Sequence, residues 1–413
     1  MSLPPSENKP ESASSFLGLA PFLRASLAGV DLRPRGQQML AELSQHDDDA
    51  NAWMNLSILM FSLGERAMGL DFQQQALGLS RVFRLAASEP PATVRLLMLM
   101  VPGDLSANTP LECLLEHGDI ELIFYYVTPG DPLAVPVPEH DIVMVGISEA
   151  DDSLAVLRAL EPLLAHWPKP VINAPQHIPS VGRAAASDLL QQVPGLLMPP
   201  TLRASRAALQ SIASGTCDLA ELFQECSFPI ILRPLGSHGG HDLDKMDCAQ
   251  DIANYLLRVN QAEFYLSPFI DYSGADGQFR KMRVALIDGV PLACHMAVSS
   301  HWMIHYINAG MYQEACKRDE ETAFMVNFAD FAQRHQVALT AIASRTQLDY
   351  VCVDCAQTPD GQLLVFEIDH AMVVHAMDWV ELFPYKQTHM FKVKNAFRDY
   401  LLHRINAPQP HTP

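Results

Sequence analysis

Charge is scarce in this chain: only 18% of its 413 residues are Asp, Glu, Lys or Arg. What charge there is leans one way, with 28 basic against 47 acidic residues and a net charge of −19. Such a surface repels phosphate backbones, which argues against general nucleic-acid binding. Long apolar runs are missing too. The longest, such as Leu96–Val101 and Leu122–Val127, have strand lengths, well short of the roughly 18–20 residues that cross a bilayer, so no membrane span is expected. The 8 cysteines, at 113, 217, 226, 248, 294, 316, 352 and 355, form no disulfide or zinc framework. They read as reduced, buried thiols of a cytoplasmic protein. The opening MSLPPSENKPESASS lacks a basic region followed by an apolar one, so residues 1–16 read as a disordered tail.

What is present is apolar content, 49% of residues, enough for a packed core and for two to four domains. Residues 17–91 show helical patterns and almost no strand signal. Between Trp53 and Ser80, the spacing of Trp53, Leu56, Ser57, Gly64, Gly69 and Ala76 resembles a single tetratricopeptide unit. One such unit cannot bury its own faces and must lean on a neighbour. From 92 to 195, apolar runs (Arg95–Val101, Ile120–Val127, Ile142–Ser148) alternate with helical stretches, the pattern of a parallel α/β sheet. It contains no G-x-G-x-x-G, so a dinucleotide site is not supported. Residues 196–275 and 276–405 read as two α+β units with longer, hairpin-like strands, and 406–413 as a tail. Within them Asp288-Gly289 is a strong hairpin turn.

The chemistry concentrates in LDYVCVDCAQTPDGQLLVFEIDHAMVVHAMD (348–378). A turn at Asp360-Gly361 sets Asp354 opposite Glu367, and strand alternation puts Glu367 and Asp369 on one face. Val353, Leu364, Phe366 and Ile368 are then expected on the other. Three carboxylates on one face repel unless neutralised, and oxygen ligands suit a divalent cation such as Mg²⁺. His301 and His305 have i, i+4 spacing but no third zinc ligand, and Cys352 and Cys355 face opposite sides of a strand. Upstream, FPIILRPLGSHGGHDLDKM (228–246) ends a buried strand in Arg233 and follows it with a Gly-rich turn able to cradle an anion. It is not a Walker loop, because no Gly-Lys-Ser/Thr follows.

The order of these pieces resembles the ATP-grasp superfamily of carboxylate–amine ligases over roughly 95–400. The resemblance implies a parallel α/β domain followed by two α+β subdomains that clamp ATP, here preceded by the helical segment. It implies that Asp354, Glu367 and Asp369 hold one or two Mg²⁺ (or Mn²⁺), with Asp369 where Asn is usual. Arg183 and Arg233 stand where phosphate-contacting lysines are frequent. Gly236, Ser237, Gly239 and Gly240 would form the lid, Ser267, Phe269 and Ile270 the adenine linker, and Asp271 a ribose contact. Arg283, with Lys281 on the same strand face, would stabilise the transferring phosphoryl group, and Asn308 would add a metal or phosphate contact.

The expected reaction joins a small-molecule or peptide carboxylate to an amine through an acylphosphate. His370 to His375 replaces the Ser-Pro-Gly-type turn of many peptide-forming relatives, so the substrates are expected to differ from theirs. His375 is a candidate base for the amine. The alternative is an ATP-binding regulator that has lost its chemistry, with the helical segment docking a protein or peptide partner. A homodimer is also within the expectation.

Overall fold

Four helices come first: α1 (Ala20–Leu27), α2 (Arg33–Leu43), α3 (Ala50–Ser62) and α4 (Arg66–Leu79). The structure, a computed structural model, describes residues 14–44, 47–224, 226–237 and 239–407. Most of the expected tail lies outside these residues, but Phe16 does not belong to a tail. It is buried against the rings of Phe83 and Phe124, at 5.5 and 5.3 Å. Asp49 caps α3 by accepting the Ala52 N–H at 3.0 Å. Helices α3 and α4 form a hairpin in which Ser57 Oγ donates to the Gly69 carbonyl at 2.7 Å. A Cβ on Gly69 would meet the Phe61 ring at 2.5 Å, so a small residue is required there. This is a helical hairpin leaning on the following sheet.

The sequence hides the next element, β1 (Val82–Leu85), because four residues with a central Arg84 show no readable alternation. It pairs antiparallel with β3 (Ile120–Tyr126) at the edge of a sheet otherwise parallel: β2 (Val94–Met100), β3, β4 (Ile142–Val145) and β5 (Val171–Ile172), in the order β1-β3-β2-β4-β5. Helices α5 (Leu111–Leu115), α6 (Leu154–Leu164) and α7 (Arg183–Leu189) connect and follow these strands. One face of the sheet (Leu96, Met98, Phe124) packs with Phe22, Met54, Leu59 and Ala76 of the helical segment. The other (Leu97, Leu99, Val143) packs with Leu157 and Leu160 of α6. Burying both faces is why these strands read as unbroken apolar runs.

Two short strands follow and go to different sheets: β6 (Leu196–Leu197) and β7 (Leu202–Ser205). The first antiparallel sheet has the order β7-β10-β8-β9, with β8 (Ile230–Pro234), β9 (Asp244–Met246) and β10 (Glu263–Pro268). Helices α8 (Arg206–Ala213), α9 (Leu219–Leu222) and α10 (Ala249–Arg258) back it through Leu209, Ile212, Leu219 and Tyr255. The second runs β12-β11-β13-β14-β6, with β11 (Phe279–Ile287), β12 (Val290–Ser299), β13 (Tyr350–Gln357) and β14 (Leu363–Asp369). Strand β6 closes its edge, parallel to β14, so the lid unit begins after 197 and not at 196.

Asp288 and Gly289 adopt φ of 50° and 74°, the left-handed pair that a tight β11–β12 hairpin demands. Between β12 and β13 the chain forms three helices, α11 (Ala315–Val326), α12 (Phe328–Arg334) and α13 (Gln336–Thr346), interrupted at Asn327 and His335. The chain ends its described part in α14 (Pro384–Asn406), whose Val393, Phe397 and Leu401 join the core shared with the helical segment. Among the described residues no helix is long and apolar enough to cross a membrane.

Candidate functional site

Three neighbouring strands carry a row of charge. In β11 Arg283 lies opposite Asp354 of β13, and Asp354 lies opposite Glu367 of β14. The Asp354–Glu367 pairing arises by an indirect route. Near the turn the partners are Gln357 with Leu363 and Ala356 with Leu364, one residue out of the register that an Asp360-Gly361 turn would set. A bulge at Phe366 then restores the offset. It also moves Leu364 and Phe366 off the face where the sequence placed them. Val353, Val365 and Ile368 fill the core, whereas Leu364 packs with Tyr272 and Phe366 on the opposite side.

The carboxylates are neutralised by the protein itself. Asp354 is 2% exposed and accepts from Arg283 Nε at 2.7 Å and Arg283 Nη2 at 3.0 Å, while Lys281 Nζ sits 2.7 Å from Oδ2. Burial alone would raise its carboxyl; Arg283 and Lys281 hold it far below the ordinary aspartate value. Arg183, the first residue of α7, reaches across to bond Glu367 Oε1. Burial pushes the Glu367 carboxyl up, but Arg183 and Arg233 outweigh it and keep it ionised. Arg233 at the end of β8 is buried; desolvation and the Arg183 charge bring its guanidinium down to about 10. It bonds the Ser237 carbonyl and stands 3.3 Å from Ser237 Oγ, which anchors the Gly-rich turn.

These groups converge on one cavity of about 630 Å³ between the two antiparallel sheets. Arg183, Arg233, Lys281, Arg283, Asp354, Glu367 and Asp369 line it, as do Gly239 and Gly240 from the turn and Ser267, Phe269 and Ile270 from the linker. Gly236, Gly239 and Gly240 have φ of 69°, 63° and 74°, which lets the turn fold over the cavity. Phe269 is held by the edge of Trp302 at 5.6 Å and by Lys245, 4.7 Å above its ring. Four proposed residues do not line the cavity. Asp271 turns away to accept the Ser273 N–H at 2.9 Å, and Asn308 is exposed, its Oδ1 accepting the His305 N–H at 2.9 Å. Gly236 and Ser237 lie outside the lining as well, at the anchored foot of the turn. His375 does line the cavity, but its Nδ1 accepts the Met377 N–H at 3.1 Å. Neutral His375 therefore carries its proton on Nε2, and it presents a donor where a base was expected.

No sequence pattern points to the far end of the cavity. Lys386 of α14 is 2% exposed, with Asp378 Oδ2 at 3.1 Å, Glu321 Oε1 at 3.4 Å and Tyr306 OH at 2.6 Å. Glu321 accepts from Tyr306 OH at 2.7 Å and Tyr385 OH at 2.6 Å. These residues sit in three separated helices and loops with no motif between them; only long-range packing reveals the network.

Among the described residues no group of three or more His, Cys, Asp or Glu side chains is placed to hold a metal ion. Both Asp354 oxygens are taken by Arg283 and Lys281, so a resident ion caged by three carboxylates does not fit. Glu367 and Asp369, both facing the cavity, suit a magnesium ion that arrives on phosphate oxygens, because such an ion needs only one or two carboxylates.

No family model matches the sequence, and no curated protein matches it. Several solved structures are similar. One is the D-alanine–D-alanine ligase of Bacillus anthracis complexed with ATP, at 13% identity and a TM-score of 0.42, covering 73% of this chain and 99% of that one. Another is the VanG D-Ala:D-Ser ligase of Enterococcus faecalis, at 12% and 0.46, covering 76% and 99%. A third is a RimK domain ATP-grasp protein of Sphaerobacter thermophilus, at 15% and 0.41, covering 75% and 99%. Similarity of this size fixes neither activity nor substrate. The chain itself shows a largely parallel α/β sheet followed by two further sheets facing one cavity, the succession that the sequence resemblance implied.

Proposed function

We propose that the protein is an ATP-dependent carboxylate–amine ligase. The observation that carries this reading is the meeting of Arg183, Arg233, Lys281 and Arg283 with Asp354, Glu367 and Asp369 in one cavity roofed by a Gly-rich turn. Arg183 and Arg233 grip the phosphate oxygens of ATP, for which a guanidinium fork is suited. The linker from Ser267 to Ile270 flanks the base. Magnesium, held by Glu367 and Asp369, supplies charge neutralisation of the triphosphate when bound.

Arg283 and Lys281 orient the substrate carboxylate, whose oxygen attacks the γ-phosphorus as ADP leaves. The same two cations stabilise the charge spread over the transferring group. An amine then attacks the acyl carbon, phosphate departs with the C–O electron pair, and the ammonium proton is lost to water or phosphate. Gly239 and Gly240 exclude water by closing over the phosphates. The test is ADP release with a panel of acids and amines, run beside Glu367→Gln. Loss of turnover with retained fold supports the reading, and equal turnover in the variant defeats it.

One observation favours a second reading. Asp354 is so fully engaged by Arg283 and Lys281 that the pair could be a permanent structural lock, leaving a protein that binds ATP without using it. Melting raised by Mg·ATP, with no acid-dependent ADP release, would select that reading.

A further inference from the structure

Resting on the ligase reading, we propose that the acid this protein activates has an extended apolar body, received by a wall that the N-terminal helix α1 completes. The cationic end of the cavity passes directly into that wall: Arg283 Nη1 donates to the Val373 carbonyl at 2.8 Å. Met372 and Val374, on either side, are buried in the same apolar cluster that includes Met390 of α14 and is packed by Leu23 and Leu27 of α1 and by Leu105. All six of these side chains line the cavity. Leu23, Leu27 and Leu105 are only partly buried by the protein.

Helix α1 is fastened in place, so the wall is a fixed surface. Phe22 is 1% exposed, Leu19 N donates to Glu112 Oε1 at 3.2 Å, and Arg24 pairs with Glu116. The charged side chains lining this end are already matched. Lys386 is bonded to Asp378 and Tyr306, and His375 Nδ1 is taken by Met377 N. A charged or strongly polar body would lose its water there and meet little beyond the single His375 Nε2–H, whereas methylenes would gain by leaving water. A carboxylate head at Arg283 and Lys281 with a hydrocarbon body toward Leu23 and Leu27 satisfies both ends.

The experiment uses straight-chain alkanoates from butanoate to decanoate with the full chain, Mg·ATP and hydroxylamine, whose nitrogen displaces phosphate from an acylphosphate to give a hydroxamate. kcat/KM for hydroxamate is expected to rise about fourfold per methylene. In L23Q/L27Q that rise should collapse toward unity while the Mg·ATP shift in melting persists. Leu27→Trp, which fills the wall without polarity, should move the optimum to shorter acids. A flat dependence on chain length in the wild type, or an undiminished rise in L23Q/L27Q, overturns the inference even if ADP is released. Calorimetric titration with decanoate alone separates the two readings. Binding by the wild type that L23Q/L27Q loses, without turnover of any acid, keeps the apolar site and discards the ligase reading. No decanoate binding together with flat turnover discards the apolar site alone.

Discussion

Arg283 holds both carboxylate oxygens of Asp354 across adjacent strands, Nε to Oδ1 at 2.7 Å and Nη2 to Oδ2 at 3.0 Å. The pair lies where β11, β13 and β14 meet the cavity, and its geometry governs both stability and chemistry at that point. A buried ion pair gains little over an apolar replacement of equal volume, yet breaking one side strands a charge in low dielectric.

Arg283→Met should therefore destabilise the protein by about 3–5 kcal/mol, because Asp354 would keep only Lys281. Arg283→Met combined with Asp354→Leu should recover much of that loss. Urea unfolding of the two single variants and the double variant closes the cycle. Additive losses would show that the two side chains are not coupled. The pH dependence has a definite sign. Asp354 is depressed in the folded state, so its contribution is fully present above the unfolded value near 4 and fades as pH falls through the lower folded one. Acid unfolding should begin earlier in Lys281→Met than in the wild type.

Glu367 and Arg183 bring the α/β domain and the C-terminal sheet together. Arg183→Met should remove most of the Mg·ATP-induced rise in melting temperature, since it takes away one phosphate fork, and Arg183→Lys should restore part of it. Differential scanning fluorimetry with and without nucleotide reads this directly. An unchanged nucleotide shift in Arg183→Met would remove Arg183 from the phosphate site.

Much of this site was legible from spacing, but not its internal bookkeeping of charge. Strands β11 and β14 are readable in the sequence, because Phe279–Ile287 and Leu363–Asp369 are bounded by turn signals and rich in apolar positions. The Asp360-Gly361 turn implies the pairing of Asp354 with Glu367, yet the strands leave the turn one residue out of that register and a bulge that no pattern announces restores it. That the acids would be met by Arg183, Arg233, Lys281 and Arg283 was beyond the sequence, since Arg183 and Glu367 are 184 residues apart. The short strand β1 and the Lys386 network were missed for the same reason: each is defined by what packs against it.

Glu112 gives a pH prediction away from the cavity. Its side chain is buried, Oε1 accepts the Leu19 N–H at 3.2 Å, and Oε2 has no hydrogen-bond partner among the described residues. Burial pushes the carboxyl up to about 7. An acid whose folded value is raised has its full stability below the unfolded value near 4.5 and loses it as pH rises toward 7. Above that the cost levels off at about 3 kcal/mol. Glu112→Gln keeps an acceptor for Leu19 N and abolishes the titration. Its melting temperature should match or trail the wild type at pH 4.5 and exceed it at pH 8. Parallel pH profiles from 4.5 to 8 would show that Glu112 does not titrate in that window.

Gly69 tests whether the α3–α4 hairpin is held by close approach. In an open helix, Gly→Ala gains up to about 1 kcal/mol from backbone entropy. Here the new methyl would sit 2.5 Å from the Phe61 ring. Either the ring or the helix must then move, against the bond from Ser57 Oγ to the Gly69 carbonyl. Overpacking of this kind costs about 1–3 kcal/mol, more than the helical gain. Gly69→Ala should therefore lower the melting temperature, while Gly78→Ala, on the same helix with no atom of the described residues within 4 Å of its added Cβ, should raise or preserve it. The opposite signs within one helix separate packing from propensity. If both variants were stabilised, the crossing of α3 and α4 would have to be looser than the Ser57–Gly69 contact implies.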